Sequence, residues 1–117
     1  MAVCDLSKLL NITPGSFDIP IQIIDLFLND TPISIENAKI DFKNNDIGEV
    51  YKNIHKIKPS LIMIGIPEKS LNLVLSINEN AKNKTNIELI GEMLTSLEND
   101  LKGVYLFLET ELQKLKS

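Results

Sequence analysis

Residues 46–65, "DIGEVYKNIHKIKPSLIMIG", decide how the chain is read. Ile47, Val50, Tyr51, Ile54, Ile57, Leu61 and Ile64 recur at steps of three and four, the spacing of one face of an α-helix. Asp46 precedes them where a side-chain oxygen can accept from the first free amides, so it is expected to cap the helix. Pro59 lies inside, four residues after His55, the single histidine of the chain. Proline has no N–H to offer the carbonyl four residues back, which is that of His55 itself. The helix is therefore expected to bend or loosen there and to tip the imidazole away from its neighbours. Gly65 and Pro67 mark its end.

The same periodicity continues on both sides. "DLSKLL" reads as a short first helix beginning near Asp5, closed by "NITPGS", whose Pro14 and Gly15 break any helix. A second helical run begins within residues 17–20, with Asp18 as its expected cap and Ile21, Ile24, Phe27 and Leu28 on one side. Thr31 and Pro32 fit either a new helix start or a kink, and one kinked helix running to Phe42 is preferred. "KNND" ends it. Beyond Pro67, Leu71, Val74, Leu75, Asn78 and Ala81 outline a helix that stops in "NKNKTN". Thr85 and Glu88 match the T-x-x-E capping box. Ile90, Leu94, Leu97, Leu101, Val104, Leu108, Leu112 and Leu115 then keep a near-heptad spacing, a helix of roughly 45 Å if unbroken. Gly91 and Gly103 interrupt it with residues that each cost about 1 kcal/mol relative to alanine. Long amphipathic helices joined by short polar turns predict an all-α fold, an antiparallel up-and-down four-helix bundle with the short N-terminal helix lying across one end. Residues 1–117 are expected to form one domain, with the bundle at roughly residues 17–115.

Composition narrows the chemistry. A net charge of −4 and a pI near 4.9 argue against nucleic acid as a partner, since that binding needs a cationic surface. All twelve basic residues are lysine, so any anion contact must use ammonium groups, backbone amides or the histidine. Cys4 is the single cysteine, which precludes an internal disulfide and favours a reducing, cytoplasmic location. One histidine and one cysteine cannot build a structural zinc site, and no metal or cofactor is expected. No signal peptide is read at the N-terminus, and no apolar run approaches the roughly eighteen residues a membrane span requires.

Within the opening helix the seam runs through Val50, Ile54, Ile57, Leu61 and Ile64. Lys52, His55, Pro59 and Ile62 lie on a neighbouring line, which places His55 at or near the surface. Lys52, Lys56 and Lys58 make this part of an acidic protein locally basic and suited to an anionic partner or group.

His55, Lys58, Ser60 and Gly65 within "HKIKPSLIMIG" resemble the H-x-x-K-G-S-x-x-x-x-G signature of histidine phosphotransfer (HPt) domains, the four-helix carriers of two-component phosphorelays. "LFLNDTPISI" looks like the second helix of that family, and the resemblance extends over roughly residues 17–115. It departs from the family at Pro59, where glycine is usual and where a small residue clears space for the docking partner. The resemblance implies reversible phosphoryl transfer from an aspartyl phosphate of a receiver domain to an imidazole nitrogen of His55, and onward to another receiver. The histidine must be exposed and neutral, because only the unprotonated nitrogen has a lone pair to attack with. Lys58, one turn further on, would set its ammonium beside the phosphoryl oxygens. Lys52, Lys56, Pro59, Ser60, Ile62 and Met63 would meet the partner. The implied partners are response-regulator receiver domains and a hybrid sensor histidine kinase. Any Mg²⁺ would come from the receiver, and the chain itself, lacking a P-loop, would be a phosphocarrier and not an enzyme.

A second function class stands beside the first, a helical-bundle interaction module that binds a receiver or another partner without being phosphorylated. A histidine alone would favour no role at all; the lysine, serine and glycine at matching spacing reverse that balance. Lys52 and Lys56 fit a solvated helix face as well as a docking surface, and Ser60 fits a hydroxyl that bonds its own backbone. Gly65 reads as a helix end, Cys4 as structural. An exposed ring with Lys58 alongside favours the carrier, whereas a buried or hydrogen-bonded ring favours the module. A monomer is expected.

Overall fold

The computed structural model describes residues 3–117. Five helices follow one another: α1 (Ser7–Leu10), α2 (Asp18–Lys43), α3 (Ile47–Ile64), α4 (Glu68–Asn83) and α5 (Ile87–Lys116). Three-residue connectors join α2 to α3, α3 to α4 and α4 to α5, so each helix runs back along its predecessor. α2 packs on α3 and α5, and α4 packs on the same two, which closes a four-helix bundle with the seams facing inward. The 30 residues of α5 set the 45 Å length of the molecule.

The periodic positions fill the core. Ile54, Leu61, Ile77, Leu94, Leu101 and Leu108 are fully buried, each contributing about 1.5–3 kcal/mol by leaving water. Phe27 of α2 meets Tyr105 of α5 edge to face at 6.0 Å, and the Lys39 ammonium donates to Glu98 at 2.9 Å across the same seam. α2 continues through Pro32 to Lys43, as the one-helix reading expects, with Thr31 buried beside it.

Three helices end on a left-handed residue. Asn45, Gly65 and Lys84 have φ of 59°, 72° and 55° and follow α2, α3 and α4. At Gly65 the motif is complete: its N–H donates to the Ile62 carbonyl and the N–H of Ile66 to that of Leu61. The N-terminal segment lies against this turn, its Asp5 N–H donating to the Gly65 carbonyl at 2.8 Å while Cys4, Leu6 and Leu9 are buried. α1 thereby rests on α3 near the C-terminal end of that helix. Burial pushes the Cys4 thiol up to about 11, which leaves it protonated and unreactive at neutral pH.

Four local expectations are corrected. α1 starts at Ser7, because the Asp5 carboxylate takes the Ser7 N–H and hydroxyl in a turn of its own. That pairing holds the Asp5 carboxyl below its usual range. Asp18 is the first residue of α2 and not its cap; its acid instead sits in the first turn, where the helix dipole favours it. Thr85 and Glu88 form no capping box. Thr85 closes α4, its N–H and hydroxyl both donating to Asn80 at 2.9 Å, while the left-handed Asn86 precedes the start of α5 at Ile87. In this connector Lys84 and Asn86 are both left-handed and Thr85 is bonded back to α4, so no residue is left in the extended conformation that caps a helix start. On α4 the inward line is Ser70, Val74, Ile77 and Ala81, with Leu75 turned outward. Ser70 can take a core place because its hydroxyl donates to Asp100 of α5 at 3.0 Å.

The two glycines of α5 differ. A Cβ on Gly103 would meet nothing within 4 Å, so Gly103→Ala is expected to raise unfolding stability by about 0.5–1 kcal/mol through helix propensity. A Cβ on Gly91 would come within 2.6 Å of the Phe42 ring, which must then shift, so Gly91→Ala should gain nothing. Paired urea melts check both, and an equal gain at the two sites would contradict the packing of Phe42 on α5.

Candidate functional site

The site forms on α3 because Asp46 starts this helix, accepting the Glu49 N–H at 3.3 Å, and because Val50, Ile54, Ile57, Leu61 and Ile64 commit its other face to the core. His55 is thereby left exposed in mid-helix. α3 remains helical across Pro59 to Ile64, and Pro59 itself is exposed. No side-chain hydrogen bond ties the imidazole to another described residue. It lies instead on the Tyr51 ring one turn earlier, centroids 5.2 Å apart and planes inclined by 23°.

His55, Lys58, Pro59 and Ile62 together line a shallow surface depression. Lys58 is half-buried and also borders a groove against Leu75, Asn78, Glu79 and Lys82 of α4. Among the described residues no carboxylate lies within salt-bridge distance of its ammonium. Ile62, 39% exposed, supplies an apolar wall.

The remaining expected residues divide. Lys52 and Lys56 are exposed but sit on the other flank of α3, in a polar groove with Asn37, Ile40 and Asp41 of α2. There Asn53 donates to Asp41 at 2.8 Å, and Lys52 pairs loosely with Glu49 at 3.8 Å, a contact of little energetic weight in water. Ser60 is exposed and lines neither concavity, while Met63 is half-buried against the core and offers a partner only its edge. Sequence periodicity assigned Tyr51 to the seam. It does pack there, at the half-buried margin, yet its ring also supports His55. The aromatic at four residues before the histidine was the available signal, since i and i+4 share a helix face.

No family model, curated protein or solved structure matches the chain. Among the described residues, no group of three or more His, Cys, Asp or Glu side chains is placed to hold a metal ion, and no helix is long and apolar enough to cross a membrane.

The stack makes a prediction about ring orientation. Removing the aromatic in Tyr51→Leu keeps an apolar side chain at the core margin but frees the imidazole to sample other rotamers. The single histidine gives one pair of imidazole proton signals in NMR spectra. These are expected to move downfield in Tyr51→Leu and to stay near their original place in Tyr51→Phe, because only the first variant removes the ring current. Unchanged shifts in Tyr51→Leu would refute the stack.

Proposed function

We propose that the chain is a phosphorelay intermediate of the histidine phosphotransfer kind, carrying a phosphoryl group on an imidazole nitrogen of His55 between aspartates of receiver domains. The observation that carries this reading is the exposed ring of His55, seated on Tyr51 and sharing a depression with the ammonium-bearing Lys58. In the transfer, the phosphorus–oxygen bond to a receiver aspartate breaks, a phosphorus–nitrogen bond forms, and the aspartate leaves as a carboxylate. The neutral imidazole supplies the electron pair. Lys58 offsets the charge of the phosphoryl oxygens as a point charge one helical turn from the ring.

Docking uses both flanks of α3. Pro59 and Ile62 give apolar contact beside the ring, and Lys52 and Lys56 offer positive charge to the acidic pocket of a receiver. Ile40, outside the opening motif, adds an exposed apolar side chain to the same groove as the two lysines. On this reading the partners are receiver domains and a hybrid sensor histidine kinase, and the protein acts as a cytoplasmic monomer without a nucleotide site of its own. The test is phosphoryl transfer from a phosphorylated receiver to the wild-type chain and to His55→Ala. Transfer to neither, with both folded, would favour the module that binds without phosphorylation.

A further inference from the structure

Asn78 Oδ1 on α4 is the one enclosed side-chain oxygen or nitrogen among the described residues that has no hydrogen-bond partner. An oxygen closed off from water loses its solvation unless a donor replaces it. Ser70, Ser76 and Asn80, the other polar side chains that α4 withdraws from solvent, are each paired. Asn78 is the exception.

The groove that Asn78 lines offers donors. Lys58 of α3 and Lys82 and Asn83 of α4 share it with Leu75 and Glu79. Lys82 and Asn83 are exposed, whereas Lys58 is half-buried and also lines the depression that holds His55. A donor to an enclosed oxygen has to come from within the groove, which favours Lys58.

Helix direction brings the two together. Lys58 stands six residues before the end of α3 and Asn78 ten residues after the start of α4, so Asn78 is about one turn farther from the connector that joins these antiparallel helices. Helical side chains lean toward the N-terminus of their own helix. Lys58 therefore leans away from the connector, toward the level of Asn78, and Asn78 leans back toward Lys58. One turn back from Lys58 on α3 is His55, so the same lean directs the ammonium between the imidazole and the amide. The lysine stem is flexible, and a change of rotamer is enough to complete the bond.

We propose that Asn78 is a positioning residue for Lys58. Its Oδ1 accepts one of the three ammonium N–H groups and leaves the other two to the phosphoryl oxygens on His55. This role rests on the phosphocarrier reading of His55, and the test separates the two.

The first arm needs no phosphate: the lysine ammonium groups of the 15N-labelled chain are followed by NMR at low temperature and mildly acidic pH, with the Lys58 signal assigned by its loss in Lys58→Gln. A hydrogen-bonded ammonium exchanges its protons slowly enough to be seen. The Lys58 signal is expected in the wild type and in Asn72→Leu, an exposed change on α4 outside the groove, and is expected to vanish in Asn78→Leu. The second arm is transfer from a phosphorylated receiver. Asn78→Leu should slow it about fivefold at saturating receiver, with the half-saturating concentration unchanged, because orientation is lost and docking is not. In a Lys58→Gln background the same change should slow it no further, whereas a merely structural role would slow both backgrounds alike.

No Lys58 signal in the wild type, a signal that persists in Asn78→Leu, a response at Lys82 instead, or equal slowing in both backgrounds would overturn the assignment. Transfer to no chain at all, with the Lys58 signal still dependent on Asn78, would overturn the phosphocarrier reading and leave Asn78 as the residue that holds Lys58.

Discussion

Incubated with a phosphorylated receiver domain, the wild-type chain is expected to gain label that survives base and is lost in acid, and His55→Ala is expected to gain none above background. The loss should be complete because the chain has no other imidazole, and Cys4, buried with its thiol raised to about 11, cannot substitute as a nucleophile. His55 is exposed and makes no side-chain hydrogen bond among the described residues, so its removal should leave the helical circular dichroism and the unfolding midpoint nearly unchanged. Lys58→Gln separates charge from geometry. It keeps a side chain of similar length in the depression and should slow transfer about tenfold or more while leaving the label on His55. Base-stable label on His55→Ala would show that another group carries the phosphate. Full-rate transfer to Lys58→Gln would remove the lysine from the chemistry.

Replacing Gly65 by alanine is expected to lower stability by about 3 kcal/mol, a fall in melting temperature of roughly 10–20 °C for a domain of this size. Two effects add. An L-residue at φ of 72° is strained by about 1–2 kcal/mol, and the new Cβ would lie 1.9 Å from the Asp5 carbonyl oxygen, which is backbone and cannot simply rotate away. Relief requires lifting the N-terminal segment, which breaks the Asp5–Gly65 hydrogen bond and exposes Cys4, Leu6 and Leu9. Limited proteolysis should accordingly cut Gly65→Ala within its first residues under conditions where wild type resists. Gly15→Ala is the internal comparison, since φ there is 85° but nothing lies within 4 Å, leaving strain alone. Equal melting temperatures for the two variants would mean that the segment does not rest on the α3 turn.

The helices were legible because burial of one face imposes a period on the chain. The spacing of Ile47, Val50, Ile54, Ile57, Leu61 and Ile64 matches the buried face of α3, with Tyr51 at its half-buried margin, and Ile90, Leu94, Leu97, Leu101, Val104, Leu108 and Leu112 match that of α5, with Leu115 half-buried at its end. Helix ends were less legible. A T-x-x-E motif describes what a free helix start can use, but the connector before α5 spends Thr85 on closing α4. On α4 an apolar residue at 75 looked equivalent to one at 77, and only the position of α5, with Asp100 waiting for the Ser70 hydroxyl, chooses between them. At the candidate site the line of His55, Pro59 and Ile62, with Lys58 one turn from the histidine, was readable from helical spacing alone. The division of the lysines into two concavities was not.

The amino-acid order by itself determined the helical class, the number of long helices, the capping of α3 by Asp46 and the exposure of His55, because each depends on residues within a turn or two along one chain segment. Tertiary structure alone decided that Lys52 and Lys56 share a groove with Ile40 and Asp41, that Gly65 must be glycine for the sake of Asp5, and that Ile19, Leu26, Ile33 and Ile40 are left uncovered. These facts depend on which helices are neighbours and at what register. That register is set by the joint packing of distant side chains, a sum over the whole core that no single stretch of sequence contains.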